Sequence, residues 1–163
     1  MVSPPLVLAS ASPRRKELLE QIDLMFEVLP VFVDESFHGG SAGAFACATS
    51  ARKAEAASRC RPDAVVIAAD TVVVLQDENL GVERVLGKPG DPDEARQVLA
   101  DLSGREHRVI SGVTVRWKDK VKTEAQETRV WFRTLSSDEI NRYVATGEPL
   151  DKAGSYGIQG RGL

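Results

Sequence analysis

Several things are scarce in this sequence. Among 163 residues there are two cysteines, Cys47 and Cys60, and two histidines, His38 and His107. Neither cysteine falls in a CxxC or other metal spacing, and so few dispersed side chains make no zinc ligand set. The thiols therefore read as buried or indifferent. Long hydrophobic runs are also missing. No segment approaches the ~20 apolar residues of a membrane span, and the stretch from Leu6 to Ala9 is too short for a signal core and has no basic residues before it. The expectation is a cytoplasmic protein with no membrane partner. Nor is there an excess of positive charge: 21 Lys and Arg face 24 Asp and Glu, a net charge of −3. Such a balance gives no general attraction to a nucleic acid polymer, whose binding rests on many phosphate contacts. Any anionic ligand has to be met by a local cluster of cations.

What is present describes one globular domain over residues 1–163. At 42% hydrophobic and 28% charged, a chain of this length can bury a core without disulfides or a structural metal. The elements alternate in type. A short strand at Leu6 to Ala9 leads to a helix from Pro13 to about Gln21, and an extended segment follows near Phe26 to Val33. The Ala-rich stretch from Ala42 to Arg59 favours helix, and the β-branched run from Val65 to Leu75 favours a buried strand. Asp91, Pro92 and Glu94 open a helix that closes before Gly104. His107 to Trp117 and Val121 to Leu135 form a hairpin around Lys118 and Asp119. Ser136 and Glu139 set a capping box for a helix ending near Gly147. This order predicts an α/β fold with a mixed β-sheet flanked by helices.

Four places could carry chemistry. In Ser10-Ala11-Ser12-Pro13-Arg14-Arg15 a strand runs into a helix, and two arginines occupy the first helical turn. Cations are disfavoured there by about 0.3–1 kcal/mol each, because that end of the helix is already positive. A bound anion would reverse the sign, while two solvated arginines are the plain alternative. Asp70-Thr71 interrupts the apolar run at 65–75. A carboxylate in a buried strand must be paired, hydrogen-bonded or metal-bound, so Asp70 is either functional or part of a structural ion pair. Glu35, Lys53 and Lys88 each carry little signal singly. Finally, Asp151 and Lys152 precede glycines at 154, 157, 160 and 162, which suit either a close approach to a ligand or an ordinary turn-rich connection.

Taken in order, LASASPRRKELL at 8–19, Val33-Asp34-Glu35, the Ala-rich segment with Lys53, AADTVV at 68–73, GKP at 87–89, FRTLS at 132–136 and EPLDKAGSYGIQG at 148–160 resemble the Maf family of nucleoside triphosphate pyrophosphatases. The resemblance implies an elongated mixed sheet with a cleft between two lobes, and cleavage of a nucleoside triphosphate between its α and β phosphates. By position it implies phosphate binding by Arg14, Arg15, Lys53 and Lys88, with Ser10, Asp151 and Lys152 in the same binding segments. It also implies that Asp70 is the acidic catalytic residue, orienting or deprotonating water, and that Glu35 assists with metal or water. A divalent cation, Mg²⁺ or Mn²⁺, would be held by Glu35 and Asp70. Arg14, Thr71 and Gln159 match the branch acting on dTTP and UTP rather than on 7-methyl-GTP. The Gln159 amide can donate to O4 and accept from N3–H of a pyrimidine. A non-catalytic nucleotide-binding regulator of septum formation is the other reading the resemblance allows, and a homodimer stays open. Family members usually continue past the glycine-rich tail with a further strand and helix, which this chain is expected to lack.

Overall fold

The computed structural model describes residues 3–77 and 81–160; Gly162 lies outside them. Among the described residues, twelve elements follow one another along the chain. They are β1 (Leu6–Leu8), α1 (Pro13–Glu20), β2 (Glu27–Val28), α2 (Ala42–Cys60), β3 (Val65–Asp77), β4 (Val82–Leu86), α3 (Pro92–Leu102), β5 (Glu106–Trp117), β6 (Lys120–Trp131), α4 (Ser137–Ala145) and two 3₁₀ turns at Glu148–Asp151 and Ala153–Ser155. Hydrogen bonding orders the strands β2-β1-β3-β5-β6, with β4 on β3. Pairing of β1 with β2 and β3 is parallel, whereas β4 runs antiparallel to β3. The sheet is therefore mixed, as the interleaved helices and hairpin predict.

Local signals explain most boundaries. Asp91 caps α3 by accepting from the Glu94 amide, with Pro92 at the first helical position. Ser136 and Glu139 complete a reciprocal capping box on α4. At α1 the N-cap residue Ser12 makes no side-chain cap. Its amide donates instead to Ser10 Oγ at 3.2 Å.

The structure departs from or adds to the sequence reading at three places. The segment at 26–33 pairs only at Glu27 and Val28, because its remaining residues leave the sheet as irregular chain. The hairpin's second strand ends at Trp131 rather than Leu135, where Phe132 and Leu135 turn toward the core below α3 and α4. Strand β4 is not among the elements the sequence predicts: its alternating VERVL pattern is short and half charged, yet it pairs in register from Val73–Leu86 to Asp77–Val82.

The chain forms two compact units. One comprises 1–70 and 111–126, the other 71–110 and 127–163, so β3, β5 and β6 each contribute residues to both. In the first unit the core joins Val7, Ala9, Val66 and Ala68 of the strands to Ala54 and Ala57 of α2. Small side chains let α2 lie close to the strands. A Cβ at Gly112 would stand 2.5 Å from the carbonyl group of Ala46. The hydroxyls of Ser50, Thr114 and Thr123 form a chain at 2.8 and 2.9 Å beside it. In the second unit Val73, Leu75, Leu86, Leu99, Leu102, Ile140, Val144 and Tyr156 form the core. No helix among the described residues is long and apolar enough to cross a membrane.

Candidate active site

In the first half of β3 every second residue points inward: Val66, Ala68 and Asp70 are buried while their neighbours are only partly so. Asp70 is thus the polar end of an apolar row. On α2 the buried positions 46, 50, 53, 54 and 57 make one helical stripe, and Lys53 is its charged member. The two rows meet, and Lys53 Nζ lies 2.7 Å from Asp70 Oδ1, with both side chains 9% exposed. A buried ammonium or carboxylate is tolerable only with such a partner.

Lys53 has a second acid. Glu35 Oε1 is also 2.7 Å from Nζ, on a side chain that is about half exposed. Two carboxylates separated by 35 residues therefore converge on one cation, one deep in the protein and one reaching solvent.

Arg15 approaches the same cluster from the first turn of α1. Its Nη1 donates to Ser10 Oγ at 3.2 Å and to the Ala69 carbonyl at 2.7 Å. Burial pulls the guanidinium below its ordinary value, opposed by the charges of Asp70 and Glu35. Arg15 is accordingly no solvated surface residue. It ties the start of α1 to the strand beside Asp70. Arg14, its neighbour, is partly exposed.

The second unit holds the other residues singled out by sequence. Thr71 is half-buried, and Lys88 and Gln159 are exposed. The Gly154 amide donates to the Gly87 carbonyl at 3.1 Å, so the loop carrying Lys88 and the segment that follows Lys152 are brought together. That approach needs glycine: Gly154 has φ of +70°, and a Cβ there would lie 2.7 Å from Val73. Lys152 Nζ is turned to the Glu148 carbonyl at 2.6 Å and to Asp151 Oδ1 at 2.7 Å. An apolar pocket of about 450 Å³ in this unit, lined by Leu99, Trp131, Phe132, Ile140, Tyr143 and Ile158 among others, includes none of the residues expected from sequence.

Arg52 is a contributor that the sequence does not single out. Its Nη2 donates to the Asp34 carbonyl at 2.8 Å and to Thr49 Oγ1 at 2.9 Å. Its position next to Lys53 is the only hint, and an exposed helical arginine carries no signal of its own.

For a metal, the usable donors are the Glu35 and Asp70 carboxylates. Among the described residues no group of three or more His, Cys, Asp or Glu side chains converges. Two hard oxygen ligands nevertheless suit Mg²⁺ or Mn²⁺, which commonly take one or two carboxylates and complete their shell with water and substrate phosphates.

The fold and this cluster define a mixed-sheet α/β protein with a buried Lys53–Asp70 pair, joined by Glu35 and Arg15, near where strand β1 gives way to helix α1. The chain belongs to the Maf family: the family model described as Maf-like protein matches residues 5–163. It is 47% identical over 159 residues to a protein of Pelotomaculum thermopropionicum named dTTP/UTP pyrophosphatase, covering 96% of this chain and 80% of that one. A protein of the same name from Myxococcus xanthus is 48% identical over 158 residues, covering 96% and 77%. The solved structure of the Staphylococcus aureus Ham1 protein shares the fold, with a TM-score of 0.51, 19% identity and coverage of 77% of this chain and 69% of that chain.

Proposed function

We propose that this protein is a nucleoside triphosphate pyrophosphatase that hydrolyses dTTP and UTP to the monophosphate and pyrophosphate. The observation that carries the reading is the sharing of buried Lys53 between Asp70 and Glu35, with Arg15 fixed beside them. The names borne by relatives of about this identity support the substrate.

An α-phosphorus is shielded by negative oxygens, so attack by water needs cations to neutralise charge and a base to take the proton. Asp70 is the base, oriented by its contact with Lys53. Lys53 can exchange part of its pairing with these acids for phosphate oxygens, and Arg15, held by Ser10 and the Ala69 carbonyl within the field of both acids, is the second cation available to them. Arg14 adds a further cation at the helix start, where backbone amides also favour an anion. Ser10 supports Arg15. Glu35 and Asp70 are the residues that would hold a divalent cation, Mg²⁺ or Mn²⁺, which when bound supplies further neutralisation of phosphate charge. Thr71, Lys88, Asp151, Lys152 and Gln159 are assigned to substrate binding on the sequence resemblance alone, with Gln159 facing the pyrimidine edge.

The test is product analysis with dTTP, UTP, CTP, dATP and GTP in the presence of Mg²⁺ or Mn²⁺. Pyrophosphate and monophosphate from dTTP and UTP are expected. Release of orthophosphate instead, or equal turnover of all five, would overturn the reading.

A further inference from the structure

Glu35 lies outside any helix or strand: residues 29–38 are irregular chain. Its carboxylate nonetheless meets Lys53 at 2.7 Å, and the backbone on either side is fastened. Upstream, the Asp34 carbonyl accepts from Arg52 Nη2 at 2.8 Å. Downstream, the Ser36 amide donates to Asp34 Oδ1 at 2.9 Å, closing a turn across Glu35. Arg52 is itself anchored, because the same nitrogen donates to the hydroxyl of Thr49, a fully buried residue one turn earlier on α2. Helix α2 thus presents two consecutive residues with different tasks. Lys53 points into the acid cluster, and Arg52 reaches the main chain that carries one of those acids.

We infer that Arg52 and Asp34 form a clip that sets the position of Glu35 relative to Lys53 and Asp70, making both of them positioning residues for the reaction. Their place in the reaction rests on the function proposed above, in which Glu35 assists the chemistry. Without the clip, the entropy of an irregular segment would have to be overcome by side-chain contacts of Glu35 such as that with Lys53, and a half-exposed ion pair does this weakly. The turn needs only an acceptor at position 34, so Asn can replace Asp there, whereas Ala cannot. At position 52 the reach and the paired N–H bonds of one guanidinium nitrogen are needed, and Lys fulfils them in part.

The experiment combines kinetics with an observation that does not depend on turnover. Arg52→Met is expected to lower kcat for UTP about tenfold, with KM and melting temperature nearly unchanged, since displacement of a reacting group acts on the chemical step. In a Glu35→Gln background the same substitution is expected to cost less than about twofold, because two changes acting through one group are not additive. Asp34→Asn should keep most of the rate and Arg52→Lys part of it, whereas Asp34→Ala should not keep it. Hydrogen exchange at the Ser36 amide should accelerate in Arg52→Met and Asp34→Ala. Equal losses in both backgrounds, or a Ser36 amide indifferent to both substitutions, would overturn the clip. If the wild-type protein releases no pyrophosphate from any triphosphate, the proposed activity fails, and exchange at Ser36 still decides whether the clip exists.

Discussion

Each unit of the molecule buries a basic side chain, and the two are treated in opposite ways. Lys53, on α2, is surrounded by opposite charge: Asp70 and Glu35 each lie 2.7 Å from its ammonium. His107, on β5, is 2% exposed and surrounded by rings. Its Nε2 meets the Tyr156 hydroxyl at 2.7 Å, and the rings of Phe132 and Tyr156 pack against the imidazole in T-shaped contacts with centroids 4.9 and 5.4 Å away. Burial lowers His107 to about 4 and raises its partner Tyr156 to about 12, so both are neutral through the physiological range. A charged cluster with one partly exposed acid can exchange partners with a ligand. A neutral pair enclosed by aromatic edges can only pack. The same scarcity of polar residues in the interior therefore marks the proposed reactive centre in one unit and a neutral, packed pair in the other.

The strongest way to break this contrast is at Asp70. Asp70→Asn should lower kcat for UTP about a thousandfold while leaving UTP binding within about tenfold, because the amide keeps the shape but cannot take a proton. Steady-state kinetics with calorimetry on the same variant decide it, and a rate above about a tenth of wild type would remove Asp70 from the chemistry.

The next effect is on stability. Because folded His107 binds a proton less readily than the unfolded chain, its contribution is complete above its ordinary value of 6.5 and is lost as pH falls toward about 4. Over that window the unfolding free energy should drop by about 2 kcal/mol from this group. His107→Phe should flatten the pH dependence measured by urea titration and leave kcat near wild type. A collapse of kcat without loss of fold would show that the second unit's aromatic centre is not merely structural.

The smallest effect sharpens the substrate side of the comparison. Gln159→Glu should reduce kcat/KM for UTP and dTTP relative to GTP by about tenfold, since a carboxylate cannot donate to O4 and faces it with like charge. An equal fall for UTP and GTP would point to a disturbed glycine-rich loop.

Much of this is legible in the amino-acid sequence itself. Asp70 stands out because a lone carboxylate in a β-branched run has to be compensated, and the structure supplies the compensating ammonium. The helix caps at Asp91 and Ser136 are readable because their chemistry is local. Lys53 is not legible by itself: an exposed lysine and a buried one look alike on an alanine-rich helix, and only the family resemblance singles it out. Strand β4 and the role of Arg52 are hidden for a related reason, since each depends on a partner distant in sequence, β3 in one case and the Asp34 carbonyl in the other. Arg15 is readable as a cation in an unfavourable place. Its bond to Ala69 is not, because a backbone carbonyl leaves no trace in the sequence.

The close approach of Gly112 to the main chain at Ala46 has a consequence for mutational maps of this protein. Residue 112 has no side chain to offer a substrate, yet any larger residue there would displace the helix that carries Lys53. In a saturation library selected for turnover, it should be as intolerant as Asp70. A library selected for solubility alone should separate the two, depleting substitutions at 112 and admitting Asn at 70. Substitution tolerance here measures the spacing of the scaffold as well as its chemistry.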